Sequence, residues 1–257
     1  MPALTARTLA FALILPLPAL AADPPPKDGS WRGTAGAALS ASGGNTRSQS
    51  LQIETELARE TPADRLGLGA TLRYARGEVD GTETTTAQQA SAFGQYDWNL
   101  GPRWYAFGRL ALERDDIVAL DLRSGLGAGL GWKWLDTPAL RLRLSGGVGA
   151  TDERYALAQT IDGRTATQFR RTTLLLALDA EQQLGESTTL THRLSVEPTI
   201  GGDGGTRSRY RADAGVAINR TLSLNVGLRV DHLSQPPAGR QATDSSLFTG
   251  LNWRIGS

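Results

Sequence analysis

Two residues near the end of the chain have the types and spacing of a catalytic pair. His232 and Ser234 are two positions apart, so on a β-strand their side chains would point to the same side. A histidine that hydrogen-bonds a serine can activate it as a nucleophile, here for cleavage of a lipid ester. The orienting acid would have to be Asp244 across a hairpin, because Asp231 points the other way. We favour the simpler interpretation, an interfacial histidine without catalytic function.

A second group of candidates consists of charged side chains within segments that otherwise alternate between apolar and polar residues. Rings of charges can select solutes in a pore, but paired arginine and carboxylate groups can also fill a narrow lumen. We favour structural pairing around a thin water path. The lumen candidates are Glu54, Glu56, Arg73, Arg109, Glu113, Arg123, Arg141, Arg143, Arg229, Asp231 and Arg254. Neighbouring segments are expected to bring Glu54 and Glu56 to Arg73, Arg109 and Glu113 to Arg123, and Arg229 and Asp231 to Arg254.

A third group is a set of carboxylates near one expected loop, formed by Asp115, Asp116 and Asp121. Their oxygens could hold Ca²⁺ or Mg²⁺ that bridges lipopolysaccharide phosphates. A solvated loop explains them more simply, and we expect neither a metal nor a cofactor. The glycines from Gly125 to Gly131 recur at every second position, which differs from the G-x-G-x-x-G pattern of nucleotide sites.

The elements that must position these residues are about twelve segments with strict two-residue alternation, from Trp31 to Ile255. This period is typical of β-strands and not of helices. After residue 21 no apolar stretch approaches the roughly 18 residues of a membrane helix. The pattern therefore predicts an all-β fold, a transmembrane antiparallel up-and-down β-barrel of about twelve strands.

The connections between these segments alternate between tight turns and longer joins. Outer-membrane barrels show this asymmetry, with short periplasmic turns and longer extracellular loops. Tight turns are expected at 61–64, 99–103, 136–138, 185–187 and 219–220. Longer joins are expected at 77–85, 115–120, 152–166, 201–206 and 234–243, while the first outer join, 43–46, resembles a hairpin turn.

All six tryptophans fall beside the tight turns, which suggests an aromatic belt at one membrane–water interface. Counting strands from this belt places both chain ends in the periplasm. A soluble β-barrel or sandwich is the alternative, in which the charged face would meet water. The tryptophans would then have no shared reason to lie at one end. They are Trp31, Trp98, Trp104, Trp132, Trp134 and Trp253.

The composition narrows the class of protein further. Residues 1–21 have the features of a signal peptide, with Arg7, a short apolar run and an Ala-x-Ala site. Residues 22–29 would be a short periplasmic segment, and 30–257 the barrel. Lys+Arg is 27 and Asp+Glu is 26, so there is no excess of positive charge for nucleic-acid binding. The absence of cysteine excludes disulfides and thiolate metal sites.

A glycine–aromatic pattern gives one more structural expectation. Gly125, Gly127, Gly129 and Gly131 would all face the lumen, where the rings of Tyr105 and Phe107 on the preceding strand could cover them. Such a patch would be structural and would bind no ligand.

These residues belong to an ordered set of motifs that resembles a known family, the salt-induced outer-membrane proteins, a β-barrel family of unknown function. The motifs are Trp31-x-Gly33, Ser42-Gly43-Gly44-Asn45-Thr46, Tyr96-Asp97, Tyr105-Ala106-Phe107, Glu113-Arg114-Asp115-Asp116, Leu122-Arg123, the glycine alternation before Trp132, Arg209-Tyr210-Arg211 and Asp244. The resemblance implies an outer-membrane barrel linked to salt stress and no established chemistry.

These observations together predict a non-enzymatic protein of the bacterial outer membrane, acting as a narrow channel or as a structural barrel. Its expected partners are outer-membrane lipid and lipopolysaccharide, the barrel-insertion machinery, and small solutes or ions. A lipid esterase that uses His232 and Ser234 is the alternative.

Overall fold

The computed structural model describes residues 27–42, 48–79, 82–202, 204–236 and 242–256. The expected signal peptide and the hairpin-like join at 43–46 lie outside these residues. The strands are β1 (Trp31–Ser42), β2 (Ser48–Glu60), β3 (Asp64–Val79), β4 (Thr82–Asn99), β5 (Trp104–Asp115), β6 (Leu120–Asp136), β7 (Leu140–Ile161), β8 (Arg164–Gln183), β9 (Thr188–Glu197), β10 (Thr199–Gly202), β11 (Arg207–Ala217), β12 (Leu222–Leu233) and β13 (Thr243–Ile255). A short 3-10 helix, Asp116–Val118, joins β5 to β6.

The strands form one closed antiparallel barrel, in which β1 pairs with both β2 and β13. Strands β9 and β10 are two parts of one barrel strand, interrupted at Pro198. Proline has no N–H to donate, so the ladder breaks at that position. Its carbonyl still accepts from the Leu174 amide at 3.0 Å, and β10 continues the pairing with β8. The barrel therefore has twelve strands, which confirms the expected fold class.

The two ends of the barrel differ in their connections. At one end, here called the turn end, strands meet through the tight turns expected from the sequence. The backbone hydrogen bonds Thr61–Asp64, Leu100–Trp104 and Leu184–Thr188 close three of them. Strand β1 begins and β13 ends at this same end. The opposite end, here called the loop end, carries the remaining connections.

The outer wall of the barrel is apolar and its interior is charged. Large hydrophobic side chains point outward and stay exposed, such as Leu72 (55%), Leu126 (64%) and Leu247 (74%). Charged residues of the same strands point into the lumen, where many of them form ion pairs. Exposure of such an apolar outer wall is unfavourable in water and favourable in lipid. The structure therefore does not fit the soluble alternative. No helix among the described residues has the length and apolar character needed to cross a membrane.

The longest connection expected from the sequence, 152–166, is wrong as a loop. Strand β7 runs on to Ile161 and β8 begins at Arg164, so a two-residue turn joins them. Asp162 and Gly163 both have positive φ, 52° and 77°, which matches the twist of a hairpin. The expected join at 77–85 is likewise mostly strand, because β3 extends to Val79 and β4 starts at Thr82.

The outer part of the β7–β8 hairpin extends past its last pairing with β6, where Leu120 opposes Tyr155. The inner face of the hairpin packs on Leu120 through Tyr155, Ile161 and Phe169. All four side chains are buried. The rings of Tyr155 and Phe169 meet edge to face at 6.0 Å. This small apolar core at the loop end holds the hairpin against the 3-10 helix.

Candidate functional site in the barrel lumen

Arginine–carboxylate pairs cross the lumen between strands that are not neighbours. Arg193 in β9 donates to both carboxylate oxygens of Glu56 in β2, with 2.7 Å between Nη2 and Oε2. Strands β1, β13, β12 and β11 lie between β2 and β9 on that side of the barrel, so this pair bridges facing walls. Arg211 in β11 also bridges to β2, where its Nη1 donates to Glu54 Oε1, while its Nε and Nη2 donate to Asp213 on its own strand.

A third bridge lies nearer the loop end and joins β11 to β5. Arg207 Nη1 lies 3.4 Å from Glu113 Oε2. These three bridges tie β9 and β11 to β2 and β5, so the interior is a narrow passage crossed by side chains.

Two of the expected neighbouring-strand pairs are wrong. Glu54 and Glu56 do not pair with Arg73, because the register of β2 and β3 places Arg73 opposite Gln52. Their carboxylates instead pair with arginines on the opposite wall of the lumen. The order of the strands does not predict which arginines these are. Arg73 itself lies in the lumen phase of β3, closer to the loop end.

Arg254 is also far from its expected partners. It lies at the turn end, where its amide donates to the Thr221 carbonyl, while Arg229 and Asp231 lie toward the loop end of β12. Those two residues pair with each other, with Nε and Oδ2 2.7 Å apart. Alternation alone shows only that these residues share the lumen face. The antiparallel register of β12 and β13 places them toward opposite ends of that face.

The expected pair between Glu113 and Arg123 forms, with 2.9 Å between Oε2 and Nη1. It continues into a buried chain of charges on neighbouring strands, because Arg123 Nε also donates to Glu153 Oε1 at 2.6 Å. Glu153 is only 2% exposed and takes further hydrogen bonds from Arg171 and from the Tyr155 hydroxyl. The result is a Glu–Arg–Glu–Arg network in the wall of the lumen.

The remaining lumen candidates have separate surroundings. Arg109 does not join this network: its guanidinium lies 4.8 Å from the Phe93 ring centre and donates to the neutral Gln95 at 3.4 Å. Arg141 pairs with Glu181 at 2.8 Å across β7 and β8. Arg143 lies opposite Asp179 in the same pair of strands.

Two chambers remain inside the barrel. The turn chamber, lined by residues that include Arg32, Arg65, Glu181 and Arg254, has a volume of about 410 Å³. The loop chamber lies around Arg123 and has a volume of about 150 Å³. Glu54, Glu56, Arg193 and Arg211 line the turn chamber and Arg207 and Glu113 line the loop chamber, so bridges cross both.

The expected glycine–aromatic patch is present on β6. A Cβ added at Gly131 would lie 2.0 Å from Tyr105 Cζ, and one at Gly129 would lie 2.8 Å from Phe107 Cε1. The rings thus occupy the space that a side chain would need at two of the four glycines, although at Gly129 the backbone of Gly146 is closer still. At Gly125 neither ring comes within 4 Å of an added Cβ. At Gly127 the covering side chain is Leu175, which belongs to β8.

Two similar contacts were not anticipated. Phe93 lies over Gly69 and Phe248 lies over Gly227, where an added Cβ would come within 2.2 Å of the ring in each case. The Arg211 guanidinium stacks 5.2 Å from the centre of the Phe248 ring. Both phenylalanines occupy the polar phase of their strands, and this misplacement was the signal that could have identified them.

The structure does not bring His232 and Ser234 together. His232 Nδ1 shares a hydrogen bond with Thr243 Oγ1 at 2.8 Å, while Ser234 Oγ accepts from the Thr206 amide at 2.8 Å. Asp244 opposes Asp231 on the lumen face and so cannot orient His232 on the outer face. The two residues of the alternative esterase therefore each hydrogen-bond to a neighbouring strand or loop.

The carboxylates at the loop end satisfy local hydrogen bonds. Asp115 accepts from the Ile117 amide and begins the 3-10 helix, and Asp116 accepts from Gln88 and Arg114 at 2.7 Å each. Among the residues that the structure describes, no cluster of metal-binding side chains includes them.

The six tryptophans lie on strand ends at the turn end of the barrel, on its outer surface. Trp132 stacks between two of them, with ring centres 6.0 Å from Trp104 and 5.6 Å from Trp134. Trp98 and Trp253 are about 60% exposed. The arrangement has the position and exposure of an interfacial belt.

Several lumen residues that prove central are not among the candidates that the sequence suggests. Arg207, Arg209 and Arg211 alternate at two-residue spacing on β11, which was a visible signal of one charged face. Glu153 falls within the expected join at 152–166, and Arg171 lies shortly after it. Arg193 carries no local signal, because its partner is distant in sequence.

A closed antiparallel barrel with an apolar outer wall and a charged interior defines the class of outer-membrane-type β-barrels. Residues 35–254 match the family described as "Protein of unknown function, DUF481", and the chain belongs to that family.

Two solved structures illustrate the similarity in fold. The translocator domain of the autotransporter NalP from Neisseria meningitidis has 14% identity and a TM-score of 0.52, covering 88% of each chain. The NanC porin has 11% identity and a TM-score of 0.52, covering 88% of this chain and all of the porin. No curated protein has a sequence that matches this chain significantly.

Proposed function

We propose that this protein resides in the bacterial outer membrane with its turn end in the periplasm. Through that membrane it provides a narrow path for ions or small solutes. The apolar wall and the tryptophans at one rim support the location. The chain ends at the turn end support the orientation. Its partners are membrane lipid, lipopolysaccharide on the outer side and the machinery that inserts barrels.

The observation that carries the proposal of a narrow path is the set of arginine–carboxylate bridges across the lumen. Glu54 and Arg211 are 18% and 25% exposed, so their pair lies in a confined region with few water molecules. Coulomb attraction is stronger there than in bulk water. The bridges therefore narrow both chambers of the lumen, which suits small ions better than large solutes.

We propose a non-enzymatic role, which is supported by the separate hydrogen-bond partners of His232 and Ser234. We also propose a link to osmotic or salt conditions. Its support is that Glu56 and Arg193 remain 30% and 43% exposed, and salt screens partly exposed pairs. Higher ionic strength would therefore loosen this bridge more than a buried one.

Planar-bilayer recording of the refolded barrel tests the channel directly. The wild type is expected to show small conductance steps, and the double variant Glu54→Gln/Glu56→Gln larger ones. In that variant Arg193 and Arg211 lose their carboxylate partners on the opposite wall, and Arg211 keeps only Asp213 on its own strand. Glu181→Gln is the matched control, since its pair with Arg141 joins neighbouring strands and crosses no lumen.

An unchanged conductance in the double variant would remove the bridges as the restriction. A wild-type barrel that inserts but never conducts, even in high salt, would leave only the structural role. Separation of membranes on a density gradient tests the location, and recovery of the protein with the inner membrane would contradict it.

A further inference from the structure

The loop chamber carries more positive charge than its own carboxylates balance. Five arginines and three glutamates line it, and every one of the three glutamates is already engaged. Glu113 and Glu153 each serve two arginines, and Glu197 accepts from Arg209 at 3.1 Å. The lining is therefore formally positive by two charges. Arg109 forms no ion pair among the described residues, and its guanidinium donates to the neutral Gln95 and stacks on the Phe93 ring.

Two donors in this chamber also lack partners. The Nε atoms of Arg171 and Arg209 are buried without any hydrogen bond. The Arg171 side chain is only 10% exposed, so solvent does little to replace the missing hydrogen bond. A buried N–H without an acceptor destabilises the protein, and an arginine offers several donors in a fork that suits oxyanions.

From the charge excess and the unpaired donors we infer that the loop chamber binds a small oxyanion, either a carboxylate or a phosphate. The volume of about 150 Å³ limits the bound part to one such group or a short organic acid. Arg109 and Arg209 supply the charge that no glutamate neutralises fully. For transport, the inference rests on the proposed function, because it names the class of solute that the channel would pass. Binding of the anion can be measured whether or not the barrel conducts.

The test is isothermal titration of the detergent-solubilised full chain with inorganic phosphate and, separately, with acetate, in a buffer of constant sodium chloride. We expect binding of at least one anion. The double variant Arg109→Gln/Arg209→Gln should weaken it at least tenfold. Arg254→Gln, which removes one arginine charge from the turn chamber, is the control for the effect of overall charge and should bind like the wild type.

Binding of phosphate or of acetate supports the inference and identifies the source of the oxyanion. Absence of binding by both anions overturns it, as does a double variant that binds like the wild type. Equal loss in Arg254→Gln would show attraction by overall charge and overturns it too. If the double variant fails to fold, Arg109→Gln alone replaces it, because it leaves no carboxylate unpaired.

Current and binding distinguish this inference from the proposed function. A barrel that binds the anion without conducting would contradict the channel and leave the site intact. A conducting barrel without anion binding, and with no preference for anions in its reversal potential across a salt gradient, would contradict the site and leave the channel intact.

Discussion

Replacing Glu153 by glutamine perturbs the most buried charge of the lumen wall. The Glu153 carboxylate is 2% exposed and is shared by Arg123, at 2.6 Å, and Arg171. Glutamine keeps one acceptor oxygen but turns an amide donor toward a guanidinium. Arg123 retains Glu113, whereas Arg171 has no other carboxylate among its ion pairs in the described residues. Breaking a buried pair from one side costs about 3–5 kcal/mol.

This loss corresponds to a change of roughly a hundred- to several thousand-fold in the unfolding equilibrium. Urea unfolding in detergent micelles, followed by tryptophan fluorescence, should show a lower midpoint with an unchanged slope. Glu181→Gln is the control, because Glu181 is 43% exposed and its pair with Arg141 contributes about 0–1 kcal/mol.

A double-mutant cycle with Arg171→Gln isolates the interaction. Because Arg171→Gln removes the charge that Glu153→Gln strands, the double variant should lose less stability than the two single variants combined. Equal midpoints for Glu153→Gln and Glu181→Gln, or strictly additive losses in the cycle, would refute the claim that this buried network stabilises the barrel.

Two further predictions concern single positions. Gly131→Ala should lower stability by about 1–3 kcal/mol, since its Cβ would overlap the Tyr105 ring, whereas Gly108→Ala has open space and should change little in the same urea assay. Hydrogen bonds from Arg32 lower the pKa of Asp28, so this contact stabilises the folded state above the ordinary aspartate pKa of about 3.9 and is lost as pH falls through the lowered value. An NMR titration of the Asp28 carboxyl at ordinary aspartate values would contradict this.

The sequence was informative wherever neighbouring residues decide the structure. The alternation of apolar and polar side chains predicts the strands and the side that each residue faces, because a strand has a period of two. Turn residues such as Asn219 predict the tight turns, since the Asn219 side chain accepts from the Thr221 and Leu222 amides. The glycines of β6 were matched to Tyr105 because the two strands are consecutive.

The loops were harder to predict from local pattern. The segment 152–166 has no clear apolar alternation, yet it continues two strands because Asp162 and Gly163 form a two-residue turn. Its inner side chains then pack on Leu120, a contact that depends on how far β7 extends beyond β6. The length of the hairpin, and with it the burial of Phe169, depends on how β6, β7 and β8 pair together.

What the chain determines by itself is the antiparallel strands and the two surfaces of the wall, because hydrogen bonding between consecutive strands and the two-residue period act over short distances. What only the tertiary structure decides is the pairing of lumen charges. Closure brings Arg193 to Glu56 and Arg211 to Glu54, although each pair lies more than 130 residues apart in sequence. The reason is that barrel curvature and strand tilt set which side chains meet across the axis, and no local pattern encodes either quantity.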